Sequence, residues 1–290
     1  VPDALEAARA LADLYIGKEN WEQGEQMLQI VTQQMSLLAA AQPDEPELTR
    51  ELCRQFYRLG YVGEKLGQKD RALAAFEQAY QLDATYLPAL EGLGHLLVHH
   101  QRFDDALKVY QTILIHHRED LTDLEIVEIY WTLGDVHFQQ RQLDRAENHF
   151  EKALALDPGH EPSLRSQLAI AEAGGKWEQA ADFGQRLVQV LDGDARFDVA
   201  LALGKLAKDK LADAYMAIDA YLAAHRIKPE QLEVLDALYV LYRETKQGAK
   251  ASEVLEKMLA QPALRGEPNK AKRVYFALGE ISRDELMDLE

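Results

Sequence analysis

The chain has 290 residues, 47% of them hydrophobic, with only 17 Gly and 9 Pro. That is enough apolar material for a substantial core and too little Gly and Pro for a low-complexity chain. A formal charge of −17, from 49 acidic and 32 basic side chains, disfavours nonspecific contact with nucleic acid or an anionic membrane; it either favours a basic protein partner or keeps a long surface soluble.

Ala, Leu, Glu and Gln dominate, which favours helix. Val and Ile rarely alternate with polar residues, so strands are not expected. In chain order, helical pairs are expected over 5–41, 53–86, 87–120, 127–160, 161–194, 195–231 and 232–265, with a last helix over 269–281. The first pair ends in a polar, proline-broken loop, Gln42-Pro43-Asp44-Glu45-Pro46. The second carries Leu59, Gly60, Gly63, Gly67, Ala72, Phe76 and Ala79, and the third Leu93, Gly94, Leu97, Phe103, Ala106, Tyr110 and Ile113. After His116-His117-Arg118-Glu119-Asp120, Thr122 and Glu125 have the spacing of a capping box. The fourth pair carries Leu133, Gly134, His137, Arg141, Leu143, Ala146, Phe150, Ala153 and Pro158. In the fifth, Trp177 and Ala180 fix the second helix, while Leu168 and Ala169 leave the first ambiguous by one residue. The sixth is expected to have a shortened turn near Lys208-Asp209-Lys210. Pro262 to Pro268 reads as a loop, and Ser282 as the cap of a last short helix reaching Glu285.

Small residues recur where two helices must approach closely. Ala12, Gly60, Gly94 and Gly134 take that place on first helices, and Gly24, Ala72, Ala106, Ala146, Ala180, Ala214 and Ala251 on second helices. Leu28, Phe76, Tyr110, Phe150 and Leu255 then fill the space between pairs. One hairpin buries too little apolar surface alone, so stacking supplies the stability.

This pattern resembles the tetratricopeptide repeat, a 34-residue helix–turn–helix unit. The resemblance implies an all-α fold: one domain over 1–290, a right-handed superhelical α-solenoid of about seven hairpins. The final helix, with Tyr275, Leu278 and Gly279 at motif places, either caps the array or is half of a truncated repeat; its charged tail favours capping. The resemblance also implies that first helices line a concave groove through the second, fifth, ninth and twelfth positions of each unit. These places and their neighbours supply the expected partner-binding residues: Arg54, Tyr57, Arg58, Tyr61, Glu91, His95, Trp131, Asp135 and Phe138. Tyr57 and Tyr61 lie one turn apart. Trp131 follows Tyr130, the core residue, and is expected to point outward. Exposed Tyr, Trp and Arg are enriched in binding hot spots, and ion pairs among Arg54, Arg58, Glu91 and Asp135 are expected to orient a bound segment. The competing reading buries these rings as ordinary packing between helices. The Lys and Asn with which some members clamp a C-terminal carboxylate are not matched.

No catalytic constellation, cofactor or metal site is expected. Glu91, His95 and His99 share a stripe but have no fourth ligand at a matched place. The Gly-x-Gly of Gly92 and Gly94 lacks the strand and the Lys-Ser/Thr of a phosphate loop. His137 is expected to be a hydrogen-bonded core residue. Cys53, the one cysteine, forms no internal disulfide and fits a reducing, cytoplasmic setting. No apolar run reaches the roughly 20 residues that span a bilayer, so no membrane insertion is expected. The chain begins with Val1, which reads as a processed or excised piece. The expected function is a non-catalytic scaffold that holds a peptide or helical segment of a protein partner. The alternative is a stretch of a longer solenoid, or a protein that self-associates into a homo-oligomer.

Overall fold

The computed structural model describes residues 2–262, 264 and 268–287. Among them the chain forms fifteen α-helices: α1 Pro2–Gly17, α2 Trp21–Ala41, α3 Pro46–Lys65, α4 Lys69–Leu82, α5 Leu87–His99, α6 Phe103–His116, α7 Asp123–Gln139, α8 Leu143–Leu156, α9 Glu161–Ala173, α10 Trp177–Val190, α11 Gly193–Asp209, α12 Ala214–Ile227, α13 Leu232–Glu244, α14 Gly248–Ala260 and α15 Pro268–Met287. The fold is an all-α solenoid of antiparallel hairpins. The chain divides into two compact units, 1–142 and 143–290. The first holds hairpins α1/α2, α3/α4 and α5/α6, followed by α7; the second holds α8, hairpins α9/α10, α11/α12 and α13/α14, and α15.

Helix starts follow local chemistry. Pro46 stands at the first turn of α3, where its missing N–H is not needed. Thr122 and Glu125 form the expected capping box at α7. The turns after α1, α3, α5, α7, α9 and α13 are also regular. One residue adopts a left-handed conformation with φ between 55° and 70°: Glu19, Gly67, Gln101, Arg141, Gly175 and Lys246. The next N–H reaches back five residues, as from Gln68 to the carbonyl of Gly63 and from Arg102 to that of Leu97, both at 2.9 Å. This closes the end of the first helix in a Schellman manner.

Packing between helices turns on one device. A Cβ added to Gly60 or to Gly92 would lie 2.6 Å from the Phe76 ring. That ring, 1% exposed, therefore sits in a slot between a glycine of its own hairpin and one of the next. Gly94, two residues after Gly92, faces Tyr110 in the same way. Residues two apart on a helix point to roughly opposite sides, so one helix receives an aromatic ring from each neighbour. This explains the Gly-x-Gly by packing.

Three expectations are corrected. The turn near Lys208-Asp209-Lys210 is lengthened, not shortened. Asp213 donates to the carbonyl of Ala207, six residues back, and Ala212 holds the left-handed conformation at φ 52°. The small position on α12 is consequently Ala217, fully buried one turn before Tyr221, and not the half-buried Ala214. Tyr221 in turn covers Gly204. In the last helix, α15 runs unbroken through Ser282 to Met287, so Ser282 caps no separate helix; no Pro or turn residue interrupts the run. Parts of the expected loop between Pro262 and Pro268 lie outside the described residues.

Two stability predictions follow from these contacts. Gly92→Ala gains about 1 kcal/mol of helix propensity but forces a methyl against a ring held on both faces, an overpacking cost of about 1–3 kcal/mol. The variant should melt at a lower temperature, and a higher melting point would dismiss the slot. Gln101→Gly relieves a left-handed non-glycine residue and should stabilise by about 0.5–1 kcal/mol in denaturant unfolding.

Candidate protein-binding site

All nine expected residues lie in unit 1, on the odd-numbered helices α3, α5 and α7. α3 carries Arg54, Tyr57, Arg58 and Tyr61; α5 carries Glu91 and His95; α7 carries Trp131, Asp135 and Phe138. Helix periodicity places the four α3 residues in two neighbouring rows on one side, because residues three and four apart are surface neighbours.

The arginines are engaged within the fold. Glu51 is the hub: it accepts from Arg9 at 2.7 Å, from Arg54 at 3.3 Å and from Gln55 at 2.7 Å. Arg58 pairs with Asp13 of α1 and donates to Gln55 at 3.1 Å. The expected ion pairs of Arg54 and Arg58 with Glu91 and Asp135 are therefore not formed. Carboxylates one turn away, or on the preceding odd helix, reach the arginines first. Asp135 instead accepts from Gln139 at 2.6 Å.

The rings divide into packed and open ones. Tyr57 is half-buried, with its ring centroid 6.1 Å from that of Phe76 and 5.7 Å from that of Tyr86 in an edge-on contact. It belongs partly to the core, as the competing reading held. Trp131 is half-buried, and its indole nitrogen is enclosed rather than directed into solvent. Tyr61 and Phe138 remain 37% and 38% exposed. Tyr61 meets Trp21 edge-on at 6.1 Å and carries the Lys65 ammonium over its face at 5.1 Å.

A pair of carboxyl groups stands out beside these rings. Glu64 on α3 and Glu91 on α5 make no ion pair or hydrogen bond among the described residues, and both are raised above the ordinary carboxyl value, chiefly by burial. Glu125 of α7 adds to the shift of Glu91 by repulsion, while His117 opposes it. His95 opposes the shift of Glu64. The Tyr57 hydroxyl feels both carboxylates, and burial pushes its pKa up. Glu64, Tyr57, Glu91 and His95 thus form one acidic, electrostatically coupled cluster across two successive odd helices, with Glu64, Glu91 and His95 on its exposed side. Lys65, next to Glu64 on α3, opposes the shift of Glu64 as well, but neither carboxyl is held in an ion pair among the described residues. The signal for Glu64 was its twelfth place in the second unit; nothing local marked Glu51 as a hub or Tyr86 as the ring against Tyr57.

The other sequence candidates are structural. His137 is buried, with Nδ1 3.1 Å from Oε1 of Gln142. Cys53 is buried against the carbonyl oxygen of Ala79 at 3.4 Å, and desolvation pushes its thiol up to about 11. Among the described residues no group of three His, Cys, Asp or Glu side chains has the geometry to hold a metal ion. No helix among them is long and apolar enough to cross a membrane.

Three profiles of one family, described as tetratricopeptide repeat, match residues 56–86, 86–159 and 131–196. Lipopolysaccharide assembly protein B of Escherichia coli K12 is 25% identical over 199 residues, covering 67% of this chain and 50% of that protein. General transcriptional corepressor ssn6 of Schizosaccharomyces pombe is 30% identical over 129 residues, covering 41% of this chain and 11% of that protein. The chain thus spans half or less of the length of these curated relatives. A tetratricopeptide repeat protein from Parabacteroides merdae superposes with a TM-score of 0.51 at 14% identity, over 97% of this chain and 99% of that one. At that identity the likeness is one of fold.

The raised carboxyls yield a pH prediction. A carboxyl with an elevated folded value binds its proton more tightly when folded, so stability falls as pH rises through that value. Glu91→Gln removes the penalty. The variant should melt higher than the parent at about pH 7, and the difference should vanish below the ordinary value of 4.5. A difference that is constant with pH would rule out titration as its source.

Proposed function

The chain belongs to the tetratricopeptide repeat family, whose fold serves as a protein–protein interaction scaffold, and we propose that it holds a basic segment of a protein partner across α3, α5 and α7. Members of the family are generally non-catalytic, and no reaction is assigned to this chain. The observation that carries the reading is the pair Glu64 and Glu91, neither in an ion pair or hydrogen bond among the described residues, beside the Tyr57 hydroxyl. Desolvated carboxylates without partners cost stability, and a Lys or Arg side chain placed between them reverses that cost. Tyr61 and Phe138, each more than a third exposed, supply flanking apolar area of the kind that anchors interfaces. Arg54, Arg58, His95, Trp131 and Asp135 border the same surface, the arginines held in place by their own carboxylates. The surrounding acidity, 49 acidic against 32 basic residues, speeds the approach of a basic segment. We place this activity in the cytoplasm, a compartment that suits a single, reduced thiol.

A second reading has its own observation. On α1, Leu11 and Leu14 are 42% and 49% exposed, whereas Leu93 and Leu96 at the matching places of α5 are buried. The face of α1 that a preceding hairpin would cover is open, which favours a place within a longer stack or self-association. Concentration-dependent light scattering abolished by Leu14→Glu would support it.

The leading proposal is tested with a labelled peptide that alternates Lys or Arg with aromatic residues, and with its Glu-substituted counterpart. Fluorescence anisotropy should show the basic peptide binding about tenfold more tightly, with affinity falling as salt rises. The double variant Glu64→Gln/Glu91→Gln should lose about tenfold without loss of helicity. Equal binding of the two peptides, or an unchanged double variant, would sink the placement.

A further inference from the structure

Two lysines of the second unit lie over rings of the core. Phe197 carries the Lys228 ammonium at 4.4 Å, and Tyr242 carries that of Lys250 at 5.6 Å. Both rings are buried, so each lysine stem covers a core ring against water. Tyr61 in the first unit differs. It carries the Lys65 ammonium at 5.1 Å, yet it is 37% exposed.

The surroundings of Tyr61 point to a task other than packing. Trp21, at the start of α2, meets the ring edge-on at 6.1 Å with the two planes 74° apart. Trp21 is itself packed with Ala12, Leu28 and Val62, so the Tyr61 ring is oriented before any ligand arrives, and little freedom is lost on binding. Lys65 is exposed, closes α3 four places after Tyr61, and is in no ion pair among the described residues. Residues four apart are neighbours on the helix surface. Glu64, beside it in sequence, belongs to the acidic cluster with Glu91, Tyr57 and His95, and Lys65 opposes the shift of Glu64. A cation therefore already rests on an open aromatic face next to the carboxyls, where the chemistry of this surface calls for a Lys or Arg.

We propose that Lys65 is an internal stand-in for the partner's cation: it covers the face of Tyr61 in the free chain and gives way when a Lys or Arg of the basic segment takes that face. This rests on the reading of α3, α5 and α7 as the site of a basic segment. It gives Tyr61 the cation of the segment and leaves Phe138 to its apolar part. A single cation on an exposed ring is held weakly, so Lys65 returns to solvent readily. The incoming side chain is held by the rest of its segment as well. Lys65 thereby weakens every basic ligand of this site and sets how basic a segment must be to enter.

The probe is a labelled peptide that alternates Lys or Arg with aromatic residues, read by fluorescence anisotropy at fixed ionic strength. Lys65→Gln should bind it about threefold more tightly than the parent. Lys69→Gln makes the same change of charge at an exposed lysine that lies over no ring among the described residues, and it should change affinity little. Lys65→Arg should bind no more tightly than the parent, because Arg holds the ring at least as well. In a Tyr61→Leu chain, the gain from Lys65→Gln should shrink to that of Lys69→Gln. In NMR spectra of the free chain, the ε-protons of Lys65 should be moved upfield by the ring and should return toward their ordinary position as peptide is added. Equal gains from Lys65→Gln and Lys69→Gln would assign the effect to net charge and overturn the stand-in. An unchanged Lys65→Gln chain, or a Lys65 signal that stays upfield in the bound state, overturns it too. A parent that does not bind the peptide, or that binds it equally after Glu64→Gln/Glu91→Gln, is the separate failure of the site, and the stand-in falls with it.

Discussion

One aromatic ring between two glycines sets the terms of the first unit. Phe76 reaches Gly60 within its own hairpin and Gly92 of the following one. Full burial of such a ring contributes about 1.5–3 kcal/mol, and truncation in a packed core costs about 3–5 kcal/mol. Each contact is cheap to describe and expensive to alter, because the ring has no free side toward which to yield. Tyr110 against Gly94 and Tyr221 against Gly204 repeat half of the device.

This packing consumes the faces of the helices that look toward their neighbours. What it leaves on α3, α5 and α7 is free for charge and recognition. There the fold has already used its cations, with Arg9, Arg54 and Arg58 bound to Glu51 and Asp13. Glu64 and Glu91 form no ion pair among the described residues, and Lys65 and His95 only partly offset the raised Glu64. Two carboxyls raised by partial burial and held in no ion pair add nothing to the packing of the solenoid, and the proposed basic segment would answer them.

The hairpins were legible because their chemistry is local and periodic. Gly60, Ala72 and Phe76 announce a close helix pair without reference to anything distant, and Thr122 and Glu125 announce a helix start. What was not legible depended on geometry between elements. The left-handed Ala212 lengthens one turn by a residue, which moved the small position from Ala214 to Ala217; Ala carries no sign of that conformation. Gly92 could be set aside as a phosphate loop from sequence, but its purpose showed only with the ring of the preceding hairpin against it. At the candidate site, position along the helix located the surface but not the partners. Arg58 could equally have met Glu91, and only the approach of α1 gives it Asp13. For Tyr57 the sequence left exposure and packing both open, because Tyr86, 29 positions later, is invisible as its neighbour.

The central claim is that the open face of α3, α5 and α7 holds a basic segment. A photo-crosslinking residue at His95, on that face, and another at Gln78, on α4, test it most directly. Irradiated with a basic aromatic peptide, the chain should be labelled from position 95 and not from position 78. Labelling from position 78 alone, or equally from both, would contradict the account.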